Sequence, residues 1–171
     1  MPMEDAQVDV WLEEHPEHPD LLEYTVRRAI DRDSRTDEEA IAQLEAYRKA
    51  RPGDPYPDRV LARVFLDSET PHRAIESLTR LDALSESDPS YAWELARLHR
   101  DQGDLEASLA MATRMVRIDP YRAEFRELAA AIAIEQRRMD LARQHVEALI
   151  LLEPDREIHK RRLEAITKLI D

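Results

Sequence analysis

The sequence contains no cysteine, which excludes disulfides, cysteine-ligated zinc and thiol nucleophiles. Only 2 glycines are present among 171 residues. Tight hairpins depend on glycine for positive φ, and strands favour the aromatic side chains that make up only 5% of this chain. Together these shortages argue against an all-β fold. A phosphate-cradling glycine loop is missing too, as is any nucleophile motif. Basic residues are outnumbered, 25 Lys and Arg against 37 Asp and Glu, for a formal net charge of -12. A field of that sign repels phosphate backbones and anionic lipid, so neither nucleic acid nor membrane is expected as a partner. The longest apolar runs, near Leu128 to Ile134 and Val146 to Leu152, are far shorter than the ~20 residues of a bilayer span. The opening MPMEDAQVDV is acidic and lacks the apolar core of a signal peptide. These absences point to a cytoplasmic protein or a soluble piece of a larger one.

What is present is a helix-forming composition. Hydrophobic residues make up 43% and charged residues 36%, and Ala, Leu, Glu and Arg dominate, all good helix formers. Residues 4 to 14 carry Ala6, Val10, Trp11 and Leu12 at roughly helical spacing. His15-Pro16-Glu17-His18-Pro19 then interrupts the pattern as a linker. Leu21, Leu22, Val26, Ala29 and Ile30 mark the next helix. Thr36 and Glu39 form a capping box opening another, with Ala40, Ile41, Leu44 and Tyr47, which stops at Arg51-Pro52-Gly53. The run Asp54 to Asp58 reads as a turn. Val60, Leu61, Val64 and Phe65 follow as a stripe. Thr70-Pro71 restarts the helical pattern with Thr as cap, before Ala74, Ile75, Leu78 and Leu81. Asp88-Pro89 does the same capping for the central unit.

That central unit, Ser90 to Pro120, shows the plan most clearly: a striped segment ending in Gln102-Gly103-Asp104, then a second ending in Asp119-Pro120. The plan recurs. Pro120 and Pro154 stand 34 residues apart, and the same step links Ala40, Ala74, Ser108 and Ala142. It links Ile41, Ile75 and Leu109, with Arg143 the exception. Leu44, Leu78 and Val146 follow it with Ala112 as the weak member, as do Tyr47, Leu81, Met115 and Leu149. Ala62, Ala96 and Ala130 make a further series that Arg28 breaks. The matches share one register without insertion.

A period of ~34 residues built from two helices is the tetratricopeptide signature. The central unit resembles that family at Leu95-Ala96, Gln102-Gly103-Asp104, Leu105 and Ile118-Asp119-Pro120. Departures are Ala92 at the usual tryptophan position, with Trp93 one residue later, Ser108 at the usual alanine, and Arg27-Arg28 in the first unit. The resemblance implies an all-α, right-handed superhelical solenoid. Its expected organisation is an N-terminal helix and linker over 1–19, repeats over 20–53, 54–87, 88–121 and 122–154, and a capping helix over 155–171. The cap carries Ile158, Leu163, Ile166, Leu169 and Ile170, separated by His159, Lys160, Arg161 and Lys168.

No catalytic constellation stands out, and neither a cofactor nor a metal site is expected. His15 and His18 flank prolines and read as polar linker, His99 as a core or half-buried residue, and His72, His145 and His159 as surface residues. Paired carboxylates such as Glu13-Glu14 read as solvated helix faces. The remaining chemistry is recognition. The resemblance implies that the first helix of each pair lines a concave groove. Carried over unit by unit, groove positions include Arg59, Arg63 and Leu66, then Trp93, Arg97 and Arg100, then Glu127, Ala131 and Ile134. The repeat step would make Arg59 and Trp93, Arg63 and Arg97, and Leu66 and Arg100 lateral neighbours. Arginine takes carboxylates bidentately and tryptophan anchors interfaces, so the expected partner is a protein or peptide carrying an acidic segment. An acidic series, Asp33, Asp67, Asp101 and Glu135, occupies helix C-terminal positions that the helix dipole disfavours; local arginines such as Arg32 and Arg100, or a basic partner, would compensate. The Lys and Asn pattern of chaperone-binding members is not recognisable. The expected function is a non-enzymatic scaffold or adaptor. The alternatives are a self-association module using the N-terminal helix and Trp11, giving a homo-oligomer, or a regulatory domain of a larger protein.

Overall fold

The computed structural model describes residues 5–16, 18–32 and 38–170. Asp33 and Thr36 lie outside the described residues, as do the side chains of Ala6, Val26, Arg27, Arg28, Ala29, Ile30, Arg32, Glu39 and Ile170. Among the described residues all regular structure is helical. The helices are α1 (Asp5–Glu14), α2 (Pro19–Arg32), α3 (Glu38–Ala50), α4 (Pro55–Leu66), α5 (Ala74–Leu84), α6 (Ser90–Asp101), α7 (Leu105–Ile118), α8 (Ala123–Glu135), α9 (Met139–Leu152) and α10 (Glu157–Ile170). They fall into two compact units, Met1–Leu84 and Ser85–Asp171.

Local chemistry sets the helix ends. Asp54 caps α4, its carboxylate accepting from the Tyr56 N–H at 2.9 Å. The 54–58 run is therefore a cap and a first helical turn, not the turn its two prolines suggest. Proline fits there because the N–H it lacks has no intrahelical partner anyway. Asp88 accepts from the Ser90 N–H at 2.9 Å just ahead of α6, but the cap position is Pro89, which has no side-chain cap bond, so Asp88 stands one residue before the cap expected of it. Thr70 makes no side-chain cap. Its own N–H donates to Ser68 Oγ at 3.0 Å, and Pro71 starts a 3-10 turn, Pro71–Arg73, ahead of α5. Gly103 closes α6 with φ 79°, and Asp104 then caps α7 by accepting from the Ala107 N–H at 3.1 Å.

In the first unit α2 packs on α3, α3 on α4, and α4 on α5. The small residues Ala40 and Ala74 are at most 5% exposed, so large side chains such as Leu44, Tyr47, Leu61 and Leu81 interlock around them. Asp58 is fully buried yet charged-paired. Arg80 Nε of α5 lies 2.9 Å from it and Arg48 Nη1 of α3 lies 3.4 Å from it. An unpaired carboxylate at that depth would cost several kcal/mol, roughly 3–5. The buried Tyr47 hydroxyl donates to Asp54 Oδ2 at 2.5 Å; burial first, then that hydrogen bond, pushes its pKa up. On α1 the inward residue is Val8, whereas Val10 and Trp11 are 51% and 38% exposed. The Val10–Trp11 stripe expected from spacing therefore faces out.

The second unit repeats the scheme. Ser108 and Ala142 are fully buried at the equivalent positions. Serine is accommodated because its hydroxyl donates to the Ala96 carbonyl at 2.6 Å. Ala92, Ala96, Leu109, Ala112, Met115, Phe125, Ala129 and Ile132 form one core cluster. Ala130, Ala133, Ala142, Val146 and Ile166 form another, against which Leu163 packs. α10 covers α9 as a cap with only part of the face expected: Leu163 and Ile166 point inward. Ile158 and Leu169 are 46% and 68% exposed. The inward stripe is His159, Leu163 and Ile166, spaced i, i+4, i+7, with His159 fully buried. His145 of α9 is also buried. Both histidines, read as surface residues from the sequence, sit inside because their helices rotate them there.

Thirty-four residues after Gly103, Arg137 holds the same left-handed conformation, φ 57°. A Cβ at Gly103 would meet nothing within 4 Å, so the cost of a side chain at this turn position is backbone strain rather than a clash. Arg137→Gly is expected to raise stability by about 0.5–1 kcal/mol and Gly103→Ala to lower it by about 1 kcal/mol. Urea midpoints at constant m measure both.

His145 supplies a pH test. Both of its ring nitrogens are buried without a partner, and burial, then Arg126, pulls its pKa below the usual 6.5. The unfolded chain thus binds a proton that the folded chain refuses, and stability falls as pH drops from 6.5 toward the lowered value. His145→Met removes this contribution. Its denaturation midpoint, relative to the wild type, is expected to rise as pH is lowered from 7 to about 5; a constant difference across that range would contradict the assignment.

Candidate partner-binding faces

In the first unit, α4 buries Val60, Leu61 and Phe65 and turns Arg59 and Arg63 outward, one helical turn apart. Neither arginine makes an ion pair or side-chain hydrogen bond with another described residue. Leu66, next on the helix, is half-buried. The outward face of α4 is thus cationic with an apolar end.

In the second unit, α6 buries Ala92, Leu95, Ala96 and Leu98 and leaves Trp93 half-buried at its edge. The indole leans on Phe125 of α8, with ring centres 5.9 Å apart and planes tilted 43°. The Arg122 guanidinium lies 4.8 Å above the Phe125 ring. Between α6 and α8 these groups line a pocket of about 340 Å³, with Ser90, Glu94 and Glu124 on its rim. Phe125, Arg122 and Glu124 were not singled out from the sequence. Their signal was available: they open the first helix of the next pair, beside Trp93 one pair earlier.

The arginines of α6 are largely engaged. Arg97 lies 3.6 Å from Glu94 one turn earlier. Arg100 forks onto Glu135 of α8, with Nε donating to Oε2 at 3.1 Å and Nη2 donating to Oε1. The Glu135 hydrogen bonds raise the Arg100 pKa against an opposing contribution from burial. This pair also answers the carboxylate at the C-terminal end of α8, which the helix dipole alone would disfavour. Glu127 of α8 is half-buried and pairs with Arg156 Nη1 at 3.6 Å. Arg59 and Arg63 thus sit together on α4, Trp93 forms the pocket, and Arg97, Arg100 and Glu127 spend charge on neighbours in their own unit. Ala131 is half-buried and Ile134 is 37% exposed.

His99 is half-buried, its Nδ1 3.9 Å from Asp104. Among the described residues, one set of histidine and carboxylate donors lies close enough to share an ion: Glu127, Glu153 and His159. His15 and His18 are exposed and not part of it. No helix among the described residues is long and apolar enough to cross a membrane.

No family model matches the chain, and no curated protein matches it in sequence. Solved structures do. MamA is 18% identical with a TM-score of 0.59, covering 75% of this chain and 70% of its own. MamA from Desulfovibrio magneticus RS-1 is 15% identical with a TM-score of 0.55, covering 87% and 83%. YrrB, a TPR protein, is 18% identical with a TM-score of 0.59, covering 93% and 81%. At such identities the likeness concerns the fold. Paired helices, small buried residues at a 34-residue step and these neighbours agree: the chain has the all-α tetratricopeptide-repeat fold.

Proposed function

We propose that this chain is a non-enzymatic protein–protein interaction module, a scaffold or adaptor. Its organisation is read as four helix pairs over 20–53, 54–87, 88–121 and 122–154, preceded by an N-terminal helix and closed by a capping helix over 155–171. It binds a peptide or protein segment on faces built by the first helix of each pair. The observation that carries this reading is the Trp93–Phe125 pocket between two such helices, α6 and α8. An aromatic pair at the edge of a packed core, rimmed by charge, is the chemistry of an interface anchor. The likeness to YrrB, described as a TPR protein with an unusual peptide-binding site, supports a peptide as the kind of ligand.

Acidic residues of that segment are assigned to Arg59 and Arg63, which are exposed and free of ion pairs with described residues. Arg97 and Arg100 contribute less, since Glu94 and Glu135 already hold them. A second reading rests on α1. Val10 and Trp11 present apolar surface outward, as a helix docking on a second copy would.

Peptide arrays of acidic, basic and neutral segments, followed by fluorescence anisotropy on the tightest binders, test the main reading. Arg59→Glu/Arg63→Glu is expected to weaken acidic segments at least about tenfold. Trp93→Ala is expected to weaken every segment by about 2 kcal/mol, roughly thirtyfold. Unchanged binding in both variants, with unchanged circular dichroism, would remove these faces from the function. A dimer in light scattering that Trp11→Ser dissolves would favour the second reading instead.

A further inference from the structure

His159 occupies an inward position on a stripe whose other members are apolar. It shares the inward stripe of α10 with Leu163 and Ile166, and its side chain is fully buried. Its Nδ1 has no hydrogen-bond partner, a cost an apolar residue would avoid. What the ring does offer is Nε2, which stands 2.8 Å from Glu153 Oε2. Glu153 is the C-terminal cap of α9, and Glu127 reaches the same point from the middle of α8. The three donor atoms all lie within 4.8 Å of one another. Three successive helices thus each send one donor to a single point.

The charge there is unbalanced. Two carboxylates face one cation, Arg156, whose Nη1 lies 2.9 Å from Glu153 Oε2 and 3.6 Å from Glu127 Oε1. The Arg156 side chain is 54% exposed, so it stands at the solvent edge and can swing out. We propose that Glu127, Glu153 and His159 form a binding site for one divalent transition-metal ion, for which the Arg156 guanidinium is the resident competitor. Metal–donor bonds of about 2.0–2.2 Å require donors within about 4 Å of each other. Closing the widest spacing takes under an ångström, within reach of glutamate side chains that are only half-buried. One imidazole nitrogen and two carboxylate oxygens, with room for water, suit zinc or cobalt. Magnesium and calcium, which prefer all-oxygen shells, fit poorly. A bound ion would tie α10 to the ends of α8 and α9, so the site is structural in character.

The test uses the full chain without a histidine tag, stripped with chelator and titrated with zinc chloride by calorimetry. Cobalt absorption reports coordination, and magnesium chloride is the control. One zinc per chain is expected, with a rise in thermal midpoint and no response to magnesium. His159→Gln and Glu127→Gln are each expected to weaken binding at least about tenfold. Arg156→Gln is expected to tighten it, the opposite of what loss of a merely structural ion pair would do to the fold. Should His159→Gln fail to fold, Glu127→Gln and Arg156→Gln decide the matter alone. Absence of zinc binding at submillimolar concentration, or binding that none of these variants alters, would overturn the proposal; the second result would place the ion on other histidines.

Discussion

The close approach of paired helices at their smallest residues is the constraint on which this structure depends. Ala40, Ala74, Ser108 and Ala142 lie where the second helix of each pair meets the first, and all are buried. Only a residue of that size lets the backbones come near enough for Leu44, Leu78, Met115 and Leu149 to interlock beyond the contact point. A larger side chain would push the pair apart and open the core on both sides. Ser108 shows the tolerance of the rule: a hydroxyl fits when a carbonyl, here Ala96, is within reach.

With the helix spacing set, each first helix has an inner face committed to packing and an outer face left for other work. On α4 that outer face holds Arg59 and Arg63, and on α6 it holds Trp93. The cations of this acidic chain are mostly occupied at home. Arg48 and Arg80 neutralise the buried Asp58, and Arg100 neutralises Glu135. These pairs lie between helices rather than along one, so they reinforce the stacking that creates the faces. Among the described residues, Arg59 and Arg63 are left unpaired one turn apart on a single helix, and an aromatic pocket opens between two others.

The helix pairs and their small-residue contacts were legible in the sequence because both follow a strict period, and periodicity is what a helix imposes on a buried stripe. The caps were less legible: Asp54 and Asp104 cap α4 and α7 where the sequence read a turn and a helix end, and Thr70, read as a cap, makes no cap bond. The errors of burial share one character. His145 and His159 read as surface residues because histidine is polar, yet the rotation of α9 and α10 turns both inward. Val10 and Ile158 read as core because they are apolar, yet both face out. In each case residue type was trusted where helix phase decided. Trp93 was legible as a candidate, but Phe125, its partner, was not. Their contact spans two helix pairs and depends on how those pairs stack.

The sequence by itself determined the class of fold, the two-helix period and the positions of closest approach, because each is written in local spacing. Only the tertiary structure decided which arginines are spent on neighbours, which aromatic rings meet, and which donors converge at the end of α9. Those outcomes depend on distances between side chains far apart in the chain. Arg100 to Glu135 and Glu127 to His159 are set by helix stacking and rotation, and no local pattern encodes either.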